Sequence, residues 1–312
     1  QFLSTIIIFW GITAITYIEK ASAQSTFYYY KQLGIKEGLS QSRVQCILND
    51  HKGYLWIGTG VGLNCYDRDH LKQYLHHSGD EKSLPSNDIL FIAEDSLLNL
   101  WVATRTGLCI YDRTNACFNR PVINKNKNTF ISSYVSLDDG IIFGAAGIIY
   151  KYDYATQQWH TLYNQSSGPF ITLKKMLKYD ENHILINTQW YGIYLFDLRT
   201  NQIKKIDAFP DKNYNSIYID SHQRLWVSAY GDGLYCYQND KQLKHFTPSN
   251  SQLTYNVILD IAEKDNQLWI ATDGGGINIL SLDDFSFSNI QQQLQRYLLS
   301  HIYQYYISAF RP

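Results

Sequence analysis

Six side chains in the connecting stretches of this 312-residue sequence combine flat aromatic rings with charged groups suited to holding a ligand: Trp190, Tyr191, Tyr230, Arg105, Asp232 and Asp273. The chemistry would be recognition without bond-breaking. A flat aromatic ring covers an apolar face of a ligand, while a guanidinium or a carboxylate grips its polar groups in pairs. All six residues fall in short irregular stretches between apolar runs. Asp232-Gly233 and Asp273-Gly274 are also common turn pairs, so a turn alone would account for those two acids. Trp190 has no such local explanation, being a bulky apolar ring in a connecting segment.

Other chemistries find less support. His76-His77 sits in one polar loop, and His51, His160, His183 and His222 fall near separate turns, whereas a metal site would need ligands from several such places to converge. The glycine-rich DGGGIN (273–278) runs into a strand-like segment and does not open a helix, which argues against a phosphate cradle. Of the five cysteines, Cys46, Cys65, Cys109 and Cys236 lie inside apolar runs and no C-x-x-C pair occurs; they read as small buried hydrophobes. No catalytic residue, metal ligand or cofactor is assigned. With 27 basic against 28 acidic residues and no block of like charge, the chain offers no stripe for nucleic acid.

The elements that must position the six residues repeat along the chain. LWIGTGVGLNCYD (55–67) returns as LWVATRTGLCIYD and again as LWIATDGGGINIL. Anchored on Trp56, Trp101, Ile142, Leu185, Trp226 and Trp269, the copies are 45, 41, 43, 41 and 43 residues apart. A glycine column follows (Gly62, Gly107, Gly147, Gly192, Gly233, Gly276) and an acidic column precedes (Asp50, Asp95, Asp138, Asp180, Asp220, Glu263). Two positions after each anchor stand Gly58, Ala103, Gly144, Asn187, Ser228 and Ala271, mostly small, as close packing between neighbouring sheets would need. Each copy divides into four short strands with turns between them, and the six candidate residues belong to the hinge between the second and third strands. Four strands in 41–45 residues, with no helical period, is the signature of a β-propeller blade. Its 26 tyrosines suit half-buried pleated surfaces.

Both ends carry partial copies. Residues 27–44 align with a fourth strand and exit loop, and SHIYQYYIS (300–308) aligns with the first strand at 255–263. The expected fold is therefore all-β: six complete blades and parts of a seventh, a truncated seven-bladed ring whose last blade the N-terminal strand would complete. The apolar run 4–18, followed by Ala21-Ser22-Ala23, reads as a signal peptide cut after Ala23. No initiator Met or basic stretch precedes it, so the sequence is expected to lack its first few residues. The expected organisation is a signal peptide at 1–23, the propeller at 24–290 and the first strand of an incomplete further blade at 291–312.

The stretch GLSQSRVQCILNDHKGYLWIGTGVGLNCYD resembles the two-component regulator propeller repeat found in periplasmic sensor regions of hybrid two-component systems of gut Bacteroidetes. The resemblance runs from residue 27 to about 307 and is specific in copies one, two, five and six. Copies three and four depart, with Ile142 and Leu185 in place of Trp and with Gln189-Trp190-Tyr191 enlarging the fourth hinge. It implies a periplasmic domain that responds to oligosaccharides from polysaccharide breakdown and works as a homodimer. It also implies an inner-membrane anchor and a histidine kinase that this chain does not contain, so the chain itself would catalyse nothing. Two other readings stay open: an exported propeller lyase or glycosidase with carboxylates converging on the central channel, or a protein-interaction scaffold. An enzyme should show acids or histidines at matched hinges, and Asp232 and Asp273 are the only carboxylates of that kind.

Overall fold

Apolar runs of five or six residues, each ended by a turn, give strands too short to form a core singly, and they assemble four at a time. A computed structural model of the protein describes residues 33–123, 129–165, 173–239 and 241–289. Those from Gly34 onward form one compact unit of six sheets, each a four-stranded antiparallel meander in chain order. The first strands, Val44–Asn49, Ile89–Glu94, Ile131–Ser136, Leu173–Lys178, Tyr214–Ile219 and Ile258–Lys264, are the inner strands of six evenly spaced blades. The signal-peptide segment lies outside the described residues.

The six-bladed ring corrects the truncated seven-bladed one. Blade 6 is complete within its own repeat, because Gly276–Ser281 pairs with Phe287–Asn289, so it needs no N-terminal strand to close it. Its inner strand faces the same axial cavity as Gln45–Leu48 of blade 1. The residues just before blade 1 behave as an ordinary entry loop: Ser40 N–H donates to Asn64 Oδ1 (3.0 Å), as Thr254 N–H does to Asn278 Oδ1 (3.0 Å) before blade 6. Residues 27–32 and 300–308, on which the seventh blade rests, lie outside the described residues.

The repeated columns have identifiable duties. Trp56, Trp101 and Trp226 are buried between blades 1 and 2, 2 and 3, and 5 and 6. The small residue two positions later meets the start of the next inner strand. A Cβ on Gly58 would come within 2.6 Å of Ile89 Cγ2, and Asn187 Nδ2 donates to Tyr214 O (3.0 Å). The Thr that closes the second strand fastens the hinge: Thr59, Thr104, Thr188 and Thr272 Oγ1 donate to the carbonyls of Gly62, Gly107, Gly192 and Gly276 at 2.7–3.0 Å. Glycine is required at Gly233, where φ is 81° and a Cβ would lie 2.2 Å from Phe246 O.

The acidic column divides. Asp50, Asp95 and Asp220 each accept the indole N–H of the Trp six residues on, at 2.9, 2.7 and 2.8 Å, and each also accepts two backbone N–H groups of its own turn. In blade 6 the turn is a two-residue hairpin with φ positive at Asp265 and Asn266. It is one residue shorter, and Glu263 takes the place of Glu94: its Oε2 accepts Ser221 N–H (2.8 Å) as Glu94 Oε2 accepts His51 N–H (2.9 Å). Both carboxylates thus tie their blade to the turn of the blade before.

Candidate functional site

Every inner strand contains one residue more than its partner at the end nearest the hinges. The extra residues are Gln45, Leu90, Ser132, Lys174, Asn215 and Leu259, one per blade, and each is a β-bulge. A bulge re-aims its side chain and sharpens the local twist. Here Gln45, Leu90, Ser132, Lys174 and Leu259 line an axial cavity of about 260 Å³, and Asn215 reaches it through Lys174. The hinges and interblade loops surround the mouth of this channel, because the bulged end of each inner strand pairs with the hinge end of its neighbour.

The ring is stitched in one rotational sense. Gln45 Nε2 of blade 1 donates to Asp88 Oδ1 at the entry to blade 2 (2.9 Å). Ser132 Oγ of blade 3 donates to Leu173 O of blade 4 (2.6 Å). Lys174 Nζ of blade 4 reaches Asn215 Oδ1 (3.1 Å), Tyr214 O (3.2 Å) and Asn213 Oδ1 (3.5 Å) of blade 5. Deeper in the channel, Lys175 of blade 4 pairs with Asp260 of blade 6 at 2.8 Å, passing blade 5, whose Ser216 Oγ donates to the same carboxylate (3.4 Å). Burial raises the pKa of Asp88, but hydrogen bonds from Arg105 and Gln45 outweigh it and hold the carboxyl below its ordinary value. Partial burial of its ammonium lowers the pKa of Lys174.

The hinge residues fall on the face that carries this mouth, with unequal roles. Arg105 belongs to the mouth: its N–H donates to Asp88 O (2.9 Å) and its Nε to Asp88 Oδ2 (2.5 Å). Trp190 and Tyr230 stand 57% and 64% exposed, and Tyr230 N–H is bound to Asn213 O (2.9 Å), beside the Lys174 acceptors. Tyr191 is half-buried, its N–H held by Thr188 Oγ1 (3.1 Å). Asp232 is paired with Lys212 (2.6 Å) and its carbonyl accepts His245 Nε2 (2.6 Å). Asp273 is exposed, with its N–H on Val257 O (2.9 Å). No hydrogen bond joins any two of the six. Sequence reasoning missed Gln45, Asp88, Ser132, Lys174, Lys175, Asn215 and Asp260. The signal available was the dilysine in LKKML (173–177), a pair of cations in an inner strand where the other copies are mostly apolar.

The sequence profile of the two component regulator propeller matches residues 38–60, the entry loop and first two strands of blade 1. No curated protein sequence matches the chain. Among solved structures, the extracellular domain of BT3049 from B. thetaiotaomicron, named as a hybrid two component system, is similar with a TM-score of 0.68 and 24% identity, over 83% of this chain and 36% of that one. The extracellular domain of BT4673 from the same organism, named both as a one component and as a hybrid two component system, is similar with a TM-score of 0.67 and 22% identity, over 85% of this chain and 38% of that one. The computationally designed Ika8 protein is similar with a TM-score of 0.56 and 10% identity, over 79% and 73%. These likenesses show the propeller fold, and this chain spans little more than a third of the two bacterial domains.

Proposed function

We propose that this chain is the ligand-receiving propeller of an exported sensor, periplasmic and part of a membrane-anchored two-component system whose kinase lies in another segment. The ligand is an oligosaccharide, received on the hinge face over the channel mouth, and the working unit is a homodimer. One observation carries the reading: exposed aromatic rings at Trp190 and Tyr230 share a face with the polar, solvent-accessible mouth formed by Gln45, Asp88, Arg105 and Lys174. Flat apolar faces beside clustered donors and acceptors meet both needs of a sugar ring. The profile match at residues 38–60 and the shared fold with extracellular sensor domains support the sensory role.

Binding without catalysis fits the carboxylates of the channel. A general acid needs a raised pKa, and a hydrolytic pair needs two acids facing one bond. Asp88 is held ionised by Arg105, and Asp260 is neutralised by Lys175. The test is calorimetric titration of the chain with a panel of plant and host-glycan oligosaccharides, alongside the Trp190→Ala variant. At least one member should bind, with affinity lowered about tenfold or more in the variant. Unchanged affinity in Trp190→Ala would remove the hinge face as the binding surface, and release of shortened sugars during the titration would replace the sensor reading with an enzymatic one.

A further inference from the structure

Among the described residues, Lys174 is an ammonium with no carboxylate in hydrogen-bond reach. Its three acceptors, two amide oxygens and a backbone carbonyl, are all neutral. Asp260, the carboxylate that lines the same cavity, is engaged by Lys175 and Ser216, and Asp88 by Arg105 and Gln45. Arg43, next to Val44, also acts on Asp88. At the mouth, Arg43, Arg105 and Lys174 therefore stand near one carboxylate, Asp88, that Arg105 already pairs, while deeper in the channel Lys175 and Asp260 neutralise each other. An ammonium held by neutral groups alone keeps its charge available, and an anion entering the cavity would supply the opposite partner that its present acceptors do not.

Position and size narrow the anion. Lys174 is accessible from solvent within the channel, on a bulge that aims it at the axis, so a ligand can reach its Nζ without any backbone movement. The amide groups of Gln45 and Asn215 and the Ser132 hydroxyl stand on the same ring, and hydroxyl-bearing groups would hydrogen bond there. The cavity, about 260 Å³, falls just below the roughly 300–1,000 Å³ usual for small-molecule sites. It admits one terminal unit and leaves the rest of a chain on the hinge face.

We propose that the channel mouth is a carboxylate-binding subsite in which Lys174 receives the acid group of a terminal acidic sugar, so that the ligand class is an oligosaccharide ending in a uronic-acid-type residue. The sugar part rests on the hinge-face reading above, whereas the anion part rests on Lys174 and the cavity alone.

The experiment compares glucuronate, glucose and inorganic sulfate, titrated into the whole chain and into Lys174→Met, Lys174→Arg and Trp190→Ala, with folding checked by unchanged thermal unfolding. Glucuronate should bind and glucose should not. Lys174→Met should weaken glucuronate by about ten- to a hundredfold, the size expected for one charge-assisted contact, and Lys174→Arg should restore most of it. Sulfate bound as well as glucuronate, with the same dependence on Lys174 and none on Trp190, would support the anion subsite and count against the sugar reading. Glucose bound as well as glucuronate, or glucuronate indifferent to Lys174→Met, would overturn the proposal while leaving the hinge-face reading to its own test.

Discussion

Replacing Asp95 with alanine should cost far more than replacing Asp180, although both occupy the acidic column of the repeat. Asp95 Oδ1 accepts the N–H groups of Leu97 (3.0 Å) and Asn99 (2.8 Å), and Oδ2 accepts Asn99 Nδ2 (3.0 Å) and Trp101 Nε1 (2.7 Å). Trp101 is fully buried between blades 2 and 3, so its indole N–H would lose its acceptor where water cannot replace it. An orphaned buried donor costs about 1–3 kcal/mol. The two turn N–H groups lie nearer solvent, and losing a cap of that kind costs about 1 kcal/mol. The sum is about 3 kcal/mol, a large share of the roughly 5–15 kcal/mol that holds a domain folded. Asp180 instead accepts Asn182 N–H (2.7 Å) and His183 Nδ1 (2.8 Å) at an exposed turn of a blade whose anchor is Leu185, so its alanine variant should lose about 1 kcal/mol or less. Asp95→Asn, which keeps one acceptor oxygen, should fall between. Urea unfolding followed by tryptophan fluorescence, with slopes compared among variants, measures all three. Equal losses for Asp95→Ala and Asp180→Ala, or a loss below 1 kcal/mol for Asp95→Ala, would refute the reasoning.

Three more outcomes are expected. Leu185 stands where four other blades carry Trp, and a solvent-open groove beside it is lined by Leu195, Phe209, Leu225 and Tyr237 together with the polar Asp180, Lys204 and Asp207; Leu185→Trp should occupy part of it and raise the unfolding midpoint by a few degrees, whereas a lower midpoint would mean the site is overpacked. Asp50 is enclosed, and although burial raises its pKa, hydrogen bonds from Trp56 and Arg113 hold it below the ordinary carboxylate value. With its folded pKa below the unfolded one, Asp50 contributes stability above about pH 4 that is lost as pH falls toward the folded value. Stability measured from pH 7 to pH 3 should therefore fall less steeply in Asp50→Asn, and parallel curves would dismiss the assignment. Burial pushes the Cys236 thiol up to about 12 and raises that of Cys109 as well, so neither should react with a maleimide at neutral pH until the chain unfolds, as mass spectrometry would report.

The sequence displays what repeats and hides what the repetition is bent into. Trp56, the hinge glycines and the small column were legible because each does the same job in successive blades, and packing of that kind leaves a periodic trace. Blade count was not legible at the ends: Phe287–Asn289, which completes blade 6, is three residues long, too short to carry a strand pattern of its own. The acidic column misled in another way. Glu263 lies six residues before Trp269, as Asp95 lies six before Trp101, yet a turn shorter by one residue moves it onto the strand and gives it the duty of Glu94.

The channel mouth was invisible for a related reason. A bulge adds one residue to a strand, and by the period of two every side chain beyond it changes face. Lys174 and Lys175 therefore read as one solvent-facing and one inward-facing residue of an ordinary strand. In the ring both line the channel, one at the mouth and one in the cross-channel pair with Asp260. Six bulges at the same register turn six unremarkable positions, Gln45, Leu90, Ser132, Lys174, Asn215 and Leu259, into one circle. Because these positions join neighbouring blades mainly through side-chain hydrogen bonds of different kinds, their chemistry varies from blade to blade while the apolar columns between blades stay alike. On the proposal made above, recognition at this mouth depends on which residue sits on each bulge, and the cation supplied by blade 4 sets its preference.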